Sequence, residues 1–141
     1  MSAPSIDPYI QEIIGADKSL ERLGIKVTSA HAGSATLYVD VDGDQVNGQG
    51  VAHGGFIFAL ADTAFALAAN SLRPGVVTSD ADIIYLAPVL EGQRMQADAQ
   101  VRFAERRLIC VEVLVTVEGR TVALFIGRGI ARQAEVGRSS T

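Results

Sequence analysis

An α+β domain, with an antiparallel sheet wrapped around one long helix, is the fold predicted by three features of this 141-residue chain. A strongly apolar helical run occupies its middle, strand-like segments follow in unbroken succession, and strands never alternate with helices as a parallel sheet requires. The length suits a single domain over 1–133, with 134–141 as a frayed tail. Such a domain buries a core yet is small enough to share a site between subunits.

The elements follow in order. Pro4 and Pro8 mark a loosely ordered start, and Ile10, Ile13, Ile14 and Leu20 supply the apolar positions of a helix from about Asp7 to Leu23, ended by Gly24. Strands are expected at Ile25 to Ala30 and at Ala35 to Val41, where Leu37, Val39 and Val41 alternate with polar neighbours. Asp42 to Gly50 reads as a loop. The long helix runs from Gly54 to about Ser71 and stops at Pro74-Gly75. Four strands complete the chain: Val76 to Leu86, Gln93 to Phe103, Leu108 to Val117 and Thr121 to Ala131. Glu118-Gly119 joins the last two as a two-residue hairpin suited to a type I′ turn.

Composition excludes several classes of function. A net charge of -4 and a pI near 5.1 argue against a nucleic-acid surface. The single cysteine, Cys110, cannot staple the fold, and nothing at the amino terminus resembles a secretion signal, so a reduced cytoplasmic setting is expected. The longest apolar segment is interrupted by Asp62 and rich in Gly and Ala, which disfavours a membrane span. His31 and His53 lie far apart with no cysteine cluster, so no metal site is expected. Gly48-Gln49-Gly50 lacks the preceding strand of a dinucleotide fingerprint, and no nucleophile elbow or phosphate loop is present.

Asp62 is the informative residue. A helix that is apolar all round belongs inside a fold, and an ionised carboxylate there is costly unless it has partners or a task. Gly54-Gly55 marks the helix start, where backbone N–H groups are free to bind an electron-rich atom. Gly54 and Asp62 are eight residues apart, roughly 12 Å at helical rise. That is too far to act on one atom, so a shared reaction centre would need two antiparallel copies of the helix in a two-fold dimer. His53 and Asn47, just upstream, also suit plain capping and turn roles.

His53-Gly54-Gly55, with Asp62 nine positions after the histidine and Asn47 upstream, resembles the hotdog-fold acyl-CoA thioesterases. The likeness is closest to the branch that serves phenylacetic acid degradation, through Leu60 to Ala66, Asn70-Ser71 and Thr121 to Phe125, and spans roughly Leu23 to Arg132. It implies a hotdog fold, a homodimer that often pairs into a homotetramer, and hydrolysis of an aryl-acetyl-CoA such as phenylacetyl-CoA or hydroxyphenylacetyl-CoA. It implies no cofactor, since CoA is part of the substrate.

The resemblance also implies roles. Asp62 is the general base, or attacks directly to give a mixed anhydride; Gly54 of the partner polarises the thioester carbonyl; Asn47 holds water or carbonyl; His53 orients the loop, with Gly55 beside the substrate. Thr78 or Ser79 stands where some members carry a hydroxyl. Ala87 stands where related sequences often have arginine before the proline. An acyl pocket is expected around Phe56, Phe58, Leu60 and Tyr85, and Arg102, Arg106 and Arg107 are candidates for the CoA phosphates. The alternatives are a non-catalytic acyl-CoA-binding regulator, a thioesterase for a different acyl group, or a hydratase on the same fold.

Overall fold

The computed structural model describes residues 5–132; the tail expected over 134–141 lies outside them. The first helical region is two helices, α1 (Pro8–Ala16) and α2 (Lys18–Leu23), rather than one continuous helix. Asp17 causes the break: its carboxylate accepts from the Ser19 N–H at 2.9 Å and caps α2, offering the backbone an alternative to continued helix. Gly24 then ends α2 in the left-handed conformation, φ 72°.

Six strands follow: β1 (Lys26–His31), β2 (Ser34–Asp40), β3 (Val76–Tyr85), β4 (Arg94–Glu105), β5 (Leu108–Val117) and β6 (Arg120–Ala131). They form one antiparallel sheet in the order β1-β2-β4-β5-β6-β3, so β3 is an edge although it is central in sequence. Glu118 and Gly119 have φ of 50° and 80°, the double positive that a type I′ hairpin needs. The register shifts at four places, leaving Thr28 unmatched in β1, Ser79 in β3, Arg102 in β4 and Val122 in β6.

The long helix, α3 (Gly54–Leu72), lies across the sheet. The architecture is the expected hotdog fold, an antiparallel sheet wrapped around a long central helix. Ile57, Leu60, Ala61, Ala64, Phe65 and Ala68 are buried against the strands, whereas Ala59, Asp62, Thr63 and Ala66 are half-buried on a side the sheet leaves open. Phe65 packs into the sheet beside Phe125, with ring centroids 6.1 Å apart. Gly127 and Gly129 on β6 make room for its ring, because a Cβ at Gly127 would sit 2.8 Å from Phe65 Cδ1.

The end of α3 is fixed by buried Asn70. Its side-chain oxygen accepts from the N–H groups of Gly75 and Val76 at 2.9 and 3.0 Å, and its amide donates to Ala66 O, which turns the chain into β3. By length and hydropathy α3 could cross a membrane, but half of that window is buried in the fold, as for a core helix.

Candidate active site

The loop before α3 is built to present the helix start. Asn47 closes it with its side chain: Oδ1 accepts from the N–H groups of Gln49 (2.9 Å) and Val51 (3.2 Å). Two backbone donors on one oxygen fix the amide orientation and leave Nδ2 as a donor. Gln45, buried, ties the same loop to Leu23 O and accepts the His53 N–H on its carbonyl. His53 is the N-cap residue through its backbone, whose carbonyl accepts from Phe56 and Ile57. The capping role is thus carried by its backbone, and its exposed imidazole makes no capping bond.

At the first turn of α3, the N–H groups of Gly54 and Gly55 have no hydrogen-bond partner among the described residues. Tyr85, from the end of β3, holds this turn from outside. Its hydroxyl donates to Gly54 O at 2.9 Å, and its ring would lie 3.0 Å from any Cβ at Gly54. Glycine is therefore fitted to the position by close approach.

Asp62 lies on the open side of α3, in line with Gly55, Ala59 and Ala66. Among the described residues its carboxylate makes no hydrogen bond and no ion pair. Burial pushes its pKa above the ordinary carboxylate value. Helical rise keeps it roughly 12 Å from the Gly54 N–H of its own chain.

The other candidate residues are dispersed. Thr78 and Ser79 are exposed on edge strand β3, Ser79 as the bulged residue. Arg102 is exposed and paired with Glu112 at 2.9 Å. Arg106 and Arg107 form the β4–β5 turn at the opposite end of α3 from Gly54: the Arg73 guanidinium donates to Arg106 O, and Arg107 donates to Ala131 O. Leu60 is fully buried, and Phe58 packs edge-on against Phe125 at 5.4 Å, so these two belong to the core.

A cavity of about 390 Å³ instead opens beside Gly54, between Val51 and Ile57 on one side and Tyr85, Leu86 and Ala87 on the other. Only Tyr85 among these was expected, because the wall joins segments about thirty residues apart. Among the described residues no group of three or more His, Cys, Asp or Glu side chains could hold a metal.

A long helix cradled by an antiparallel sheet, with a glycine start and a lone mid-helix acid, defines a hotdog-fold protein of thioesterase type. The family model described as "Thioesterase superfamily" matches residues 49–124, more than half of the chain. The acyl-coenzyme A thioesterase PaaI of Escherichia coli is 37% identical over 113 residues, covering 79% of this chain and 81% of that protein. The solved structure of the E. coli PaaI protein superposes with a TM-score of 0.83 at 33% identity, covering 89% and 91% of the two chains. A mutant of the phenylacetic acid degradation protein PaaI from Thermus thermophilus gives 0.79 at 39% identity, covering 82% and 99%. The chain belongs to the hotdog-fold thioesterase superfamily and is closely related to PaaI-type acyl-CoA thioesterases.

Proposed function

We propose that this protein hydrolyses acyl-CoA thioesters of the aryl-acetyl type, in a composite site formed by two copies of the chain. The observation that carries this reading is Asp62, a partly desolvated carboxylate without a partner on the open side of α3. The edge strand supports the two-fold: β3 has no further strand on its outer side, and Val77 and Ile84 near its two ends are 68% and 56% exposed. Antiparallel pairing of two α3 helices brings Asp62 of one copy towards Gly54 of the other.

The chemistry follows from these groups. Asp62 removes a proton from water, and the resulting hydroxide attacks the thioester carbon; the variant route is direct attack by the carboxylate. A base whose pKa is raised towards the working pH is the more effective one. The oxyanion forms against the free N–H groups at the start of α3 and its positive dipole end. Asn47 Nδ2 holds water or carbonyl, and the His53 backbone keeps the loop in place. A thiol is far more acidic than an alcohol, the cysteine reference pKa being around 8.5, so no strong general acid is needed.

The far end of α3 suits the nucleotide. From Asp62 to Arg73 the helix rises roughly 16 Å, about the bond-counted reach of an extended pantetheine arm. Arg73, Arg106 and Arg107 have no carboxylate partner among the described residues, which leaves them for phosphate recognition, whereas Arg102 is engaged with Glu112. We take the working assembly to be a homodimer, paired into a homotetramer, in the cytoplasm.

The test is thiol release from phenylacetyl-, benzoyl- and straight-chain CoA thioesters. Turnover with an aryl-acetyl preference supports the reading. Tight binding without thiol release would replace it with a regulator.

A further inference from the structure

Resting on the reading of the helix start as the oxyanion site, we propose that Tyr85 is a positioning residue for the reaction. By donating to Gly54 O, its hydroxyl aims the Gly55 N–H and strengthens it as a donor to the thioester oxygen.

Gly54 O and the Gly55 N–H belong to one peptide unit, which is planar and trans. Holding the oxygen therefore fixes the direction of the N–H on the other side of the plane. Tyr85 supplies that hold, with its hydroxyl oxygen 2.9 Å from Gly54 O. The tyrosine is itself anchored, since its backbone is paired with Ala123 of β6 and the next two residues, Leu86 and Ala87, donate to Val122 O. The helix start is thus tied to the sheet through a side chain as well as through its loop. An accepted hydrogen bond also polarises the peptide group, which makes its N–H a better donor. The group that gains is the Gly55 N–H, without a partner among the described residues.

The two glycines differ in what they admit. A Cβ at Gly54 would lie 3.0 Å from Tyr85 Cζ and Oη, whereas one at Gly55 would meet nothing within 4 Å. Neither residue has a positive φ, so a left-handed backbone explains neither glycine. Gly54 admits the ring that grips the peptide, and Gly55 leaves open space on the side of α3 that carries Asp62. A tyrosine that only fastened α3 to β3 would contribute equally before and during the reaction. One that aims and polarises the donor contributes most when negative charge has gathered on the thioester oxygen.

Tyr85→Phe keeps the ring against Gly54 and removes the hydroxyl alone. In the variant, kcat on the best CoA thioester is expected to fall about five- to tenfold while KM stays within about twofold, so that kcat and kcat/KM drop together. A second readout needs no substrate. In protein labelled with heavy nitrogen at glycine, the Gly55 amide nitrogen NMR signal is expected to move upfield in the variant, because the oxygen of its peptide has lost a hydrogen bond. A raised KM with kcat retained, or a Gly55 signal that stays in place, would overturn the proposal. If wild type releases no thiol from any thioester, the hydrolytic reading fails separately, and the Gly55 signal still decides whether Tyr85 strengthens this donor.

Discussion

Replacing Asp62 by Asn separates a chemical role from a structural one, because the carboxylate forms no hydrogen bond or ion pair within the described chain. The amide has nearly the same shape, so packing on the open side of α3 is kept while basicity is lost. General-base catalysis contributes about 10²–10⁴ in rate, or roughly 3–5 kcal/mol of barrier, and kcat on the best thioester should fall by that factor. Stability should move the other way. Burial raises the Asp62 pKa in the folded state, so the folded protein binds its proton more tightly than the unfolded chain, whose value is about 3.9. Wild-type stability therefore loses ground as pH rises from about 4 through the folded pKa, and Asn removes this penalty. The variant should gain on wild type between pH 4 and 7, with the gain levelling off above the folded pKa, as read by urea denaturation at each pH. Thiol release within tenfold of wild type would refute the base assignment. A variant that loses ground on wild type between pH 4 and 7 would refute the desolvation argument.

Three further expectations follow from the same geometry. Gly54→Pro removes the N–H at the first helical position, where proline's φ suits the helix while its Cβ must displace the Tyr85 ring. Mixed dimers of that variant with Asp62→Asn keep one intact site of two and should recover about half of wild-type turnover, whereas no recovery would place both groups in one chain. Gly129→Ala would set a methyl 2.5 Å from Val76 Cγ1 and 3.1 Å from Val77 O; overpacking of this kind costs about 1–3 kcal/mol and should lower Tm by roughly 5–10 °C in calorimetry. Arg106→Ala with Arg107→Ala should raise KM for CoA thioesters about tenfold at low salt, with much less effect on N-acetylcysteamine thioesters, which lack phosphates; equal effects on both would remove the arginines from nucleotide recognition.

What the sequence makes legible is what local chemistry determines. Asp62 stands out because a carboxylate in an apolar helix violates a rule whose breach is costly. Glu118-Gly119 signals its turn through a glycine at a positive-φ position. The open side of α3 is hidden in the sequence because it carries Gly55, Ala59 and Ala66, residues equally at home in a core. Ala32-Gly33 forms the same double-positive turn as Glu118-Gly119, with φ of 50° and 88°, but alanine gives no such signal; pairing of β1 with β2 imposes it. The bulges at Ser79 and Arg102 depend on register against β6 and β5, and the cavity beside Gly54 needs Tyr85 from 31 residues away. Asp17 is the opposite case: a helix-capping residue type stands in plain view inside a run otherwise read as one helix.

The single chain carries three features that physical chemistry treats as costs. One is a desolvated acid without a partner, the second an edge strand with exposed apolar residues near both ends, and the third a half-open side on the most apolar helix. Independent costs would call for independent explanations. One two-fold axis near the middle of the open side of α3 addresses all three, since it pairs edge with edge, covers helix with helix and brings Asp62 towards a set of free N–H donors. The roughly 12 Å between Gly54 and Asp62 then acts as a spacing requirement. A shorter interval would let one chain assemble the pair alone, and a longer one would leave the two copies out of reach. Assembly and catalysis in this reading draw on the same residues, so substitutions on the open side of α3 are expected to change both together.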